Sequence, residues 1–374
     1  MPALLAQGSR KEEQIMNKTA LIAMSGGVDS SVSALLMLEQ GFACTGVTMK
    51  LFNNEDIGLP IMESKCCSLD DIADARSVCA EMGIEHYTFN YGDSFRAAVI
   101  DRFINAYING QTPNPCIDCN RYLKFGELFA KAKELGCNYV VTGHYARVKY
   151  DTAKKRYLLL KALDPQKEQS YVLYSLTQEQ LAHVQFPLGG LTKPQVREIA
   201  EKHGFVNAHK HDSQDICFIR EGTTYADFIE QRTGRKFPPG NFVTADGKVL
   251  GRHKGIIHYT VGQRKGLGLA LPEPMYVQSI DPAANTVTLT TNAGLFTTKV
   301  TATDINLIDC DRIEGPRRVQ ARIRYHQKEQ WATVTQPDAN TLQLEFDEPQ
   351  RAITKGQALV MYDGDVVVGG GRII

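Results

Sequence analysis

The sequence predicts an α/β protein whose N-terminal domain contains a parallel β-sheet and is followed by a small central domain and a C-terminal β-barrel. In the first half, apolar runs typical of strands alternate with helical patterns, as expected for a parallel sheet with crossover helices. After about residue 222, short β-branched runs alternate with turn signals, for example at 245–248 and 337–340. We therefore predict domains at 17–222, 223–296 and 297–374, preceded by a disordered extension at 1–16.

The composition indicates a globular protein, and we expect no membrane role. Hydrophobic residues make up 43% and charged residues 22% of the 374 residues, and no apolar run approaches the ~20 residues that span a bilayer. Because no secretory signal is recognisable and the nine cysteines are an odd number, we expect reduced thiols and a cytoplasmic protein. Lys plus Arg and Asp plus Glu both total 42, so nucleic-acid binding would depend on local patches of charge.

The first elements are predicted to be a strand, a turn and a helix. Residues 19–24 form an apolar run typical of a strand buried on both faces, and 32–38 carry a helical pattern. The turn between them reads Ser-Gly-Gly-Val-Asp-Ser over 25–30. Gly26 and Gly27 let the backbone approach a ligand closely, and the N–H groups of the first helical turn attract an anion. The sequence therefore predicts a phosphate-binding loop here, the alternative being an ordinary glycine-rich turn.

The other elements of this domain follow in alternation. They are strands at 45–51, 86–90 and 138–142 and helices at 69–82, 95–108, 122–135 and 192–203. We predict a loop at 109–120, because Pro113 and Pro115 disfavour regular helix. Ligands of open α/β sheets bind at the carboxyl ends of the strands, so the 25–30 loop, Met49 and Gly143 should converge on one nucleotide pocket.

The second half is predicted to contain a short helix at 225–231 and then mainly strands. We assign to the barrel the strands at 286–290 (at the boundary), 319–325, 331–335, 341–346 and 358–362. Residues 317–328 contain five Lys or Arg and no acidic residue. This segment indicates a phosphate-binding stripe, and a solvated strand face is the alternative.

The thiols fall into two groups. The motifs at 112–120 (TPNPCIDCN) and 212–219 (DSQDICFI) place cysteines in polar, turn-rich surroundings, where a thiol is accessible. Cys44, Cys79 and Cys137 lie on apolar elements and are predicted to be core residues. Cys310 receives no assignment, and Cys66 and Cys67 are interpreted as thiols without a function.

The 25–30 loop resembles the SGGxDS motif of the PP-loop ATP pyrophosphatases, which split ATP between its α and β phosphates. A Walker A loop carries Lys before its Ser or Thr, whereas this chain has Asp29 there. From about residue 18 onward, the chain resembles the tRNA-specific 2-thiouridylases (the MnmA/Trmu family). That resemblance rests on six motifs in order, at 25–30, 112–120, 142–147, 167–173, 212–219 and 262–268.

The resemblance implies an adenine nucleotide α-hydrolase-like N-terminal domain and ATP-dependent 2-thiolation of the wobble uridine of tRNA. The O2 of the base would attack the α-phosphate of ATP, and pyrophosphate would leave. Cys217 would carry sulfur as a persulfide supplied by a sulfur-donor or relay protein, and Cys119 would resolve it, leaving a disulfide. The implied ATP-binding residues are Ala23, Met24, Ser25, Gly26, Gly27, Val28, Asp29, Ser30, Met49 and Gly143, with Asp29 also holding magnesium. The implied tRNA-binding residues are Asn114, Pro115, Cys116, His144, Lys167, Glu168, Gln169, Arg324, Tyr325 and Gln357.

One position departs from the family pattern. Many members have Asp three residues before the first catalytic cysteine, and this chain has Cys116. A thiol does not replace a carboxylate in acid–base chemistry, so Cys116, Cys119 and Cys217 could instead hold an iron–sulfur cluster. Two other functions stay open: a PP-loop synthetase acting on a small metabolite, and a non-enzymatic RNA-binding or redox protein.

Overall fold

The computed structural model describes residues 18–52, 69–212, 216–220 and 222–374. The predicted extension at 1–16 and the pair Cys66 and Cys67 lie outside these residues. The chain divides into two compact units. The first unit contains the described residues up to Ala98, Ile117–Phe218 and Asp365–Val367, and the second contains Val99–Cys116, the described residues of Ile219–Gly364, and Val368–Ile374.

The helices and strands have the following bounds. The helices are α1 (Val28–Glu39), α2 (Leu69–Glu81), α3 (Gly92–Phe95), α4 (Asp101–Ile108), α5 (Pro115–Asp118), α6 (Leu128–Glu134), α7 (Gln178–Ala182), α8 (Lys193–Lys202) and α9 (Tyr225–Thr233), with π-helical segments at Arg96–Ile100 and Cys119–Glu127. The strands are β1 (Thr19–Ala23), β2 (Ala43–Lys50), β3 (Glu85–Asn90), β4 (Tyr139–Val141), β5 (Ala146–Asp151), β6 (Arg156–Lys161), β7 (Val184–Gln185), β8 (Gly240–Val243), β9 (Val249–His253), β10 (Tyr276–Asp281), β11 (Thr286–Thr290), β12 (Phe296–Leu307), β13 (Arg317–Arg322), β14 (Gln330–Asp338), β15 (Thr341–Arg351), β16 (Ala358–Asp363) and β17 (Val366–Ile373).

The first unit is built on a parallel five-stranded sheet in the order β3-β2-β1-β4-β7. The apolar run of β1 is central, so its side chains are covered on both faces, and Ala20, Leu21 and Ile22 are fully buried. Val32 of α1 and Val196 of α8 belong to the same apolar core as Ile22. This arrangement places the turn after β1 at the carboxyl edge of the sheet, where ligands of such folds bind.

The loop predicted at 109–120 is wrong at its C-terminal end, because α5 begins at Pro115. Proline is tolerated in the first helical turn, where its missing N–H would have no intrahelical acceptor and its fixed φ suits the helix. Cys116 therefore lies in α5, and Cys119 begins the π-helical segment Cys119–Glu127. Segments of π-helix inside longer helices often mark functional sites.

The second unit contains a four-stranded sheet in the order β10-β11-β8-β9. The prediction that 286–290 belongs to the barrel is wrong, because β11 pairs with β10 and with β8. The barrel runs in the order β12-β15-β14-β13-β16-β17 and is closed by pairing of β12 with β17. Its interior is apolar and includes Val319, Ala332 and Leu344. The predicted fold class, a parallel-sheet domain followed by a central domain and a β-barrel, is confirmed.

Among the described residues, no helix has the length and hydropathy that crossing a membrane requires.

Candidate active site

The turn after β1 has the shape of an anion-binding loop. Gly26 has φ 73°, and a Cβ there would lie 2.4 Å from the backbone oxygen of Asp71, so only glycine fits. Gly27 is the N-cap of α1 and has no side chain that could cap the first-turn N–H groups. The Ser25 N–H donates to Ser30 Oγ at 3.2 Å, and Ser30 Oγ donates to the Gly27 carbonyl at 2.9 Å. The loop is thus fixed with helical N–H groups available for a phosphate.

Two other predicted nucleotide contacts lie near this loop. A Cβ on Gly143 would lie 2.9 Å from the Asp29 backbone, so Gly143 packs directly against the loop. Met49 is buried near the end of β2, which pairs with β1 so that Val47 is opposite Ala23. The structure therefore brings the predicted residues from three strand ends together at one edge of the sheet.

A lysine in the helix predicted at 192–203, to which the sequence analysis assigned no role, lies beside this loop. Lys193 Nζ is 2.7 Å from Asp29 Oδ1 and 2.7 Å from Asp212 Oδ1. The Tyr145 hydroxyl donates to the same Asp29 oxygen at 2.9 Å. The Lys193 side chain is only 10% exposed, so its charge is compensated by two carboxylates. A Walker A loop contains a lysine in its own sequence. In this chain the lysine beside the loop, Lys193, comes from α8.

Asp212 is the first residue of the motif that contains Cys217, and three basic side chains surround it. Lys167 Nζ lies 2.6 Å from Asp212 Oδ2, and Arg197 Nη2 lies 3.4 Å from Oδ1. Burial opposes ionisation of Asp212, but the hydrogen bonds from Lys167 and Lys193 outweigh it and hold its pKa below the usual value. Through Lys193, the nucleotide loop is joined to the start of the second thiol motif.

A second lysine, Lys210, holds the other side of the loop. Its Nζ donates to Asp71 and to Asp74 at 2.6 Å each, and to the Gly26 carbonyl at 3.2 Å. Burial alone would lower the pKa of Lys210, but the hydrogen bonds that its amine donates to the two carboxylates raise this pKa above the usual value. Asn207 Nδ2 also donates to the Gly26 carbonyl, at 3.1 Å. These contacts fix the backbone of the glycine turn against α2.

The cysteines differ in exposure. Cys116 is exposed, and Cys119 and Cys217 are half-buried. Cys79 is buried and Cys44 is half-buried, and burial raises the pKa of each thiol to about 11. A thiol with such a pKa is almost entirely protonated at neutral pH and is therefore a poor nucleophile.

The neighbour of Cys217 anchors the second thiol motif in the first unit. The Phe218 side chain is 2% exposed and contacts the Phe95 ring edge-on, with the ring centroids 5.8 Å apart.

Several residues predicted to touch tRNA are engaged inside the first unit. His144 is buried, its Nδ1 lies 2.6 Å from Thr142 Oγ1, and burial followed by the charge of Lys124 holds its pKa well below the usual value. The His144 imidazole is therefore neutral near pH 7. Gln169 Oε1 accepts a hydrogen bond from the Tyr145 N–H at 3.0 Å, and Glu168 Oε1 accepts one from the Ser170 N–H at 2.5 Å. The 167–169 segment thus helps to fix Tyr145, which contacts Asp29.

The predicted tRNA contacts of the second unit lie on the barrel and at 114–116, where the loop leads into α5. Arg324 is exposed, and its guanidinium donates to the carbonyls of Arg351 and Ala352. Tyr325 is half-buried, with its ring centroid 4.6 Å from that of His326. Asn114, Pro115 and Gln357 are placed in the same unit.

The basic stripe predicted at 317–328 is largely neutralised by partners on neighbouring segments. Arg317 contacts Asp309 at 2.6 Å, and Arg322 contacts Glu329 at 2.6 Å. Arg318 donates from two nitrogens to the two oxygens of Asp347, at 2.7 Å each. The segment contains no acid of its own, but three of its basic residues are paired across the fold, which favours the solvated strand face over an open phosphate-binding stripe.

The cluster alternative requires three thiols in one place. Within the residues that the structure describes, no three side chains of His, Cys, Asp or Glu are placed to hold a metal ion.

Family models match the chain in three consecutive segments. Residues 18–221, more than half of the chain, match a model described as a tRNA methyl transferase HUP domain. Residues 226–291 match a tRNA methyl transferase PRC-barrel domain, and residues 297–373 match an aminomethyltransferase beta-barrel domain.

Curated relatives match over nearly their whole length. The tRNA-specific 2-thiouridylase MnmA of Clostridioides difficile (strain 630) is 48% identical over 358 residues, which cover 96% of this chain and 98% of the relative. The protein of the same name from Acetivibrio thermocellus is 49% identical over 356 residues, covering 95% of this chain and 99% of the relative. A solved 4-thiouridine synthetase–RNA complex with bound ATP is more distant, with 19% identity, coverage of 54% of this chain and 44% of that chain, and a TM-score of 0.37.

Proposed function

Because the chain belongs to the tRNA-specific 2-thiouridylase family, we propose that it uses ATP to replace O2 of the wobble uridine in tRNA anticodons with sulfur. The observation that supports this best is the Lys193 bridge, which joins Asp29 of the nucleotide loop to Asp212 of the second thiol motif through two contacts of 2.7 Å. Activation by ATP and sulfur delivery need these two elements close together. We place the reaction in the cytoplasm, where thiols stay reduced.

In the first step, the uridine O2 attacks the α-phosphorus of ATP, the N3 proton of the base passes to solvent, and pyrophosphate leaves. The helical N–H groups after Gly27 would hold the phosphates, and Asp29 would hold the magnesium that accompanies ATP. Bound magnesium would neutralise phosphate charge. Lys193 would stabilise the negative charge that builds up on the departing pyrophosphate, because its buried ammonium group lies beside the nucleotide loop, 2.7 Å from Asp29.

In the second step, a persulfide on Cys217 supplies the sulfur. Its terminal sulfur attacks C2 of the adenylated base and expels AMP, which leaves the base joined to Cys217 through two sulfurs. The Cys119 thiolate then attacks the Cys217 sulfur, so that 2-thiouridine departs and a Cys119–Cys217 disulfide forms. A donor or relay protein would supply the persulfide sulfur, and a reductant would restore the two thiols.

An iron–sulfur mechanism is the second candidate for the sulfur step, and the observation that favours it is Cys116 in place of the usual Asp. Anaerobic purification followed by iron and sulfide analysis separates the two routes. The persulfide route predicts full thiolation by protein that lacks iron, whereas activity proportional to bound iron would support the cluster.

Methyl transfer and small-metabolite synthesis would leave the nucleotide loop or the two thiol motifs without a role. The family models are described as methyl transferase and aminomethyltransferase domains, but methyl transfer needs neither an adenylating loop nor two thiol motifs. A synthetase for a small metabolite would use the loop and leave both thiol motifs without a role.

The deciding experiment measures pyrophosphate and AMP from ATP with and without an unmodified tRNA transcript. We expect release that depends on the tRNA and on a uridine at the wobble position. The proposal would be contradicted if pyrophosphate and AMP were released only with a small acid or amine. It would also be contradicted if neither product were released with tRNA and a sulfur donor present.

A further inference from the structure

The loop that leads to the first thiol motif is held by a turn of the barrel. The Thr112 N–H donates to the Lys355 carbonyl at 2.9 Å, and Gln357 Nε2 donates to the Thr112 carbonyl at 2.7 Å. Both backbone polar groups of Thr112 are therefore bonded to the turn at 355–357. All of these residues belong to the second unit.

The turn itself is fixed to the last strand. The Gly356 N–H donates to the Ile373 carbonyl at 2.9 Å, and the Ile373 N–H donates to the Gln357 carbonyl at 2.9 Å. Gln357 is half-buried, which limits the motion of its carboxamide. The carboxamide that donates to Thr112 thus belongs to a turn that backbone hydrogen bonds hold against the last strand of the barrel.

The turn also packs closely against the loop. Gly356 has φ 91°, and a Cβ there would lie 3.1 Å from Gln111 Cβ and 3.2 Å from the Thr112 backbone. Contacts of this length are tight, so a side chain at Gly356 would push the loop away. Thr112 is therefore fixed both by close packing against Gly356 and by its two hydrogen bonds to the turn.

The path from Thr112 to Cys116 has little freedom. Pro113 and Pro115 fix their own φ angles and restrict the residues before them. Asn114 Oδ1 accepts a hydrogen bond from the Cys116 N–H at 3.1 Å, which closes a local turn. The position of Thr112 therefore largely determines the position of Asn114 and Cys116, two of the residues that the family resemblance implies bind tRNA.

We propose that Gln357 is a positioning residue for thiolation: its carboxamide holds the loop at Thr112, and with it the start of α5, against the barrel in the orientation that the target base requires. This role rests on the proposed function. It differs from the tRNA contact predicted for Gln357, because the side chain acts on the protein's own loop, and the barrel orients that loop besides binding RNA.

The test compares Gln357→Ala and Gln357→Glu with Lys355→Ala in the full-length protein. Alanine removes the donor to the Thr112 carbonyl, and a carboxylate would face that carbonyl without a proton to donate. The Lys355 side chain is exposed, and only its backbone carbonyl takes part, so Lys355→Ala removes a cation but keeps the hydrogen bond.

For both Gln357 variants we expect kcat at saturating tRNA to fall by about 10- to 100-fold, as a small misplacement of a reacting group would produce, with a change of less than about twofold in the Kd for tRNA. Lys355→Ala should keep kcat. A weaker Kd with kcat intact at saturation would overturn the proposal, because Gln357 would then be only a tRNA contact. An unchanged kcat and Kd would overturn it too.

Hydrogen exchange of the 111–116 segment, measured without tRNA, gives a readout that does not depend on activity. We expect faster exchange in both Gln357 variants than in the wild type and in Lys355→Ala. If the hydrogen exchange of this segment is unchanged in the Gln357 variants, the proposal is overturned whatever their thiolation rates are. If the wild type itself forms no 2-thiouridine, the proposed function fails, while the exchange result still decides whether Gln357 holds the loop.

Discussion

Lys193 Nζ lies 2.7 Å from Asp29 Oδ1, so α8 brings a positive charge to a nucleotide loop that has none of its own. The two residues are separated by 164 positions in the chain. The same amine contacts Asp212, and the loop and the start of the second thiol motif therefore share one cation.

Replacing Lys193 should impair adenylation. We expect Lys193→Met to lower tRNA-dependent pyrophosphate release at saturating ATP by about 10²- to 10³-fold, because a buried stabilising charge is lost. Lys202→Met is the matched control, since Lys202 ends the same helix and is exposed. Equal rates for the wild type and Lys193→Met would show that Lys193 has only a structural role.

Gly26→Ala should abolish ATP binding, because a Cβ would lie 2.4 Å from the Asp71 backbone oxygen and force the loop to move. Gly41→Ala is the control for the backbone conformation. Gly41 has φ 78°, close to the 73° of Gly26, but a Cβ there would meet no atom within 4 Å. Both variants should lose about 1–2 kcal/mol of stability from the left-handed backbone, and only Gly26→Ala should lose ATP affinity in calorimetry. Equal ATP affinity in the two variants would contradict this reading of the loop.

The stability of the protein in acid should depend on Asp212. Although burial opposes its ionisation, hydrogen bonds from Lys167 and Lys193 hold its pKa below the usual value. A lowered folded-state pKa gives stability that is present above the unfolded pKa of about 4 and is lost as the pH falls through the folded value. In urea unfolding, the free-energy gap between the wild type and Asp212→Asn should therefore be widest near neutral pH and narrow below about pH 4. A difference in unfolding free energy that is constant from pH 7 to pH 3 would contradict the lowered pKa of Asp212.

Arg318 should contribute little to tRNA binding, although it belongs to a basic segment. Both of its terminal nitrogens contact Asp347, and its guanidinium lies over the Trp331 ring, 5.4 Å from the centroid. We expect Arg318→Ala to change tRNA affinity by less than about twofold and to leave its salt dependence unchanged. A true phosphate contact would reduce the slope of log K against log salt by about one, and that result for Arg318 would show that its ion pair opens on binding.

Local sequence signals predicted the elements that position the loop. The apolar run, the glycine turn and the helical pattern after it correspond to β1 and α1, and the helix predicted at 192–203 corresponds to α8. Their signals lie within a few residues of the structure they specify, so one segment is enough to recognise them.

The features that the sequence interpretation missed depend on distant partners. Lys193 and Lys210 meet their carboxylates only after folding, and no local pattern marks them. β12 and β17, not predicted as strands, pair with each other to close the barrel. The glycines of β17 indicate a turn when the local sequence is considered alone. In the structure, a Cβ on Gly369 would lie 2.3 Å from the carbonyl oxygen of Asn306 in β12, so glycine is needed there for β12 to pack closely against β17.

The most direct test of the central claim is a single-turnover thiolation assay with persulfide-loaded protein, ATP and unmodified tRNA, in which 2-thiouridine is quantified by mass spectrometry. Cys119→Ser and Cys217→Ser are compared with Cys310→Ser, a half-buried barrel cysteine outside both motifs. We predict no 2-thiouridine from Cys217→Ser, a tRNA adduct that is not released from Cys119→Ser, and wild-type yield from Cys310→Ser. Wild-type yield of 2-thiouridine from Cys217→Ser would contradict the account.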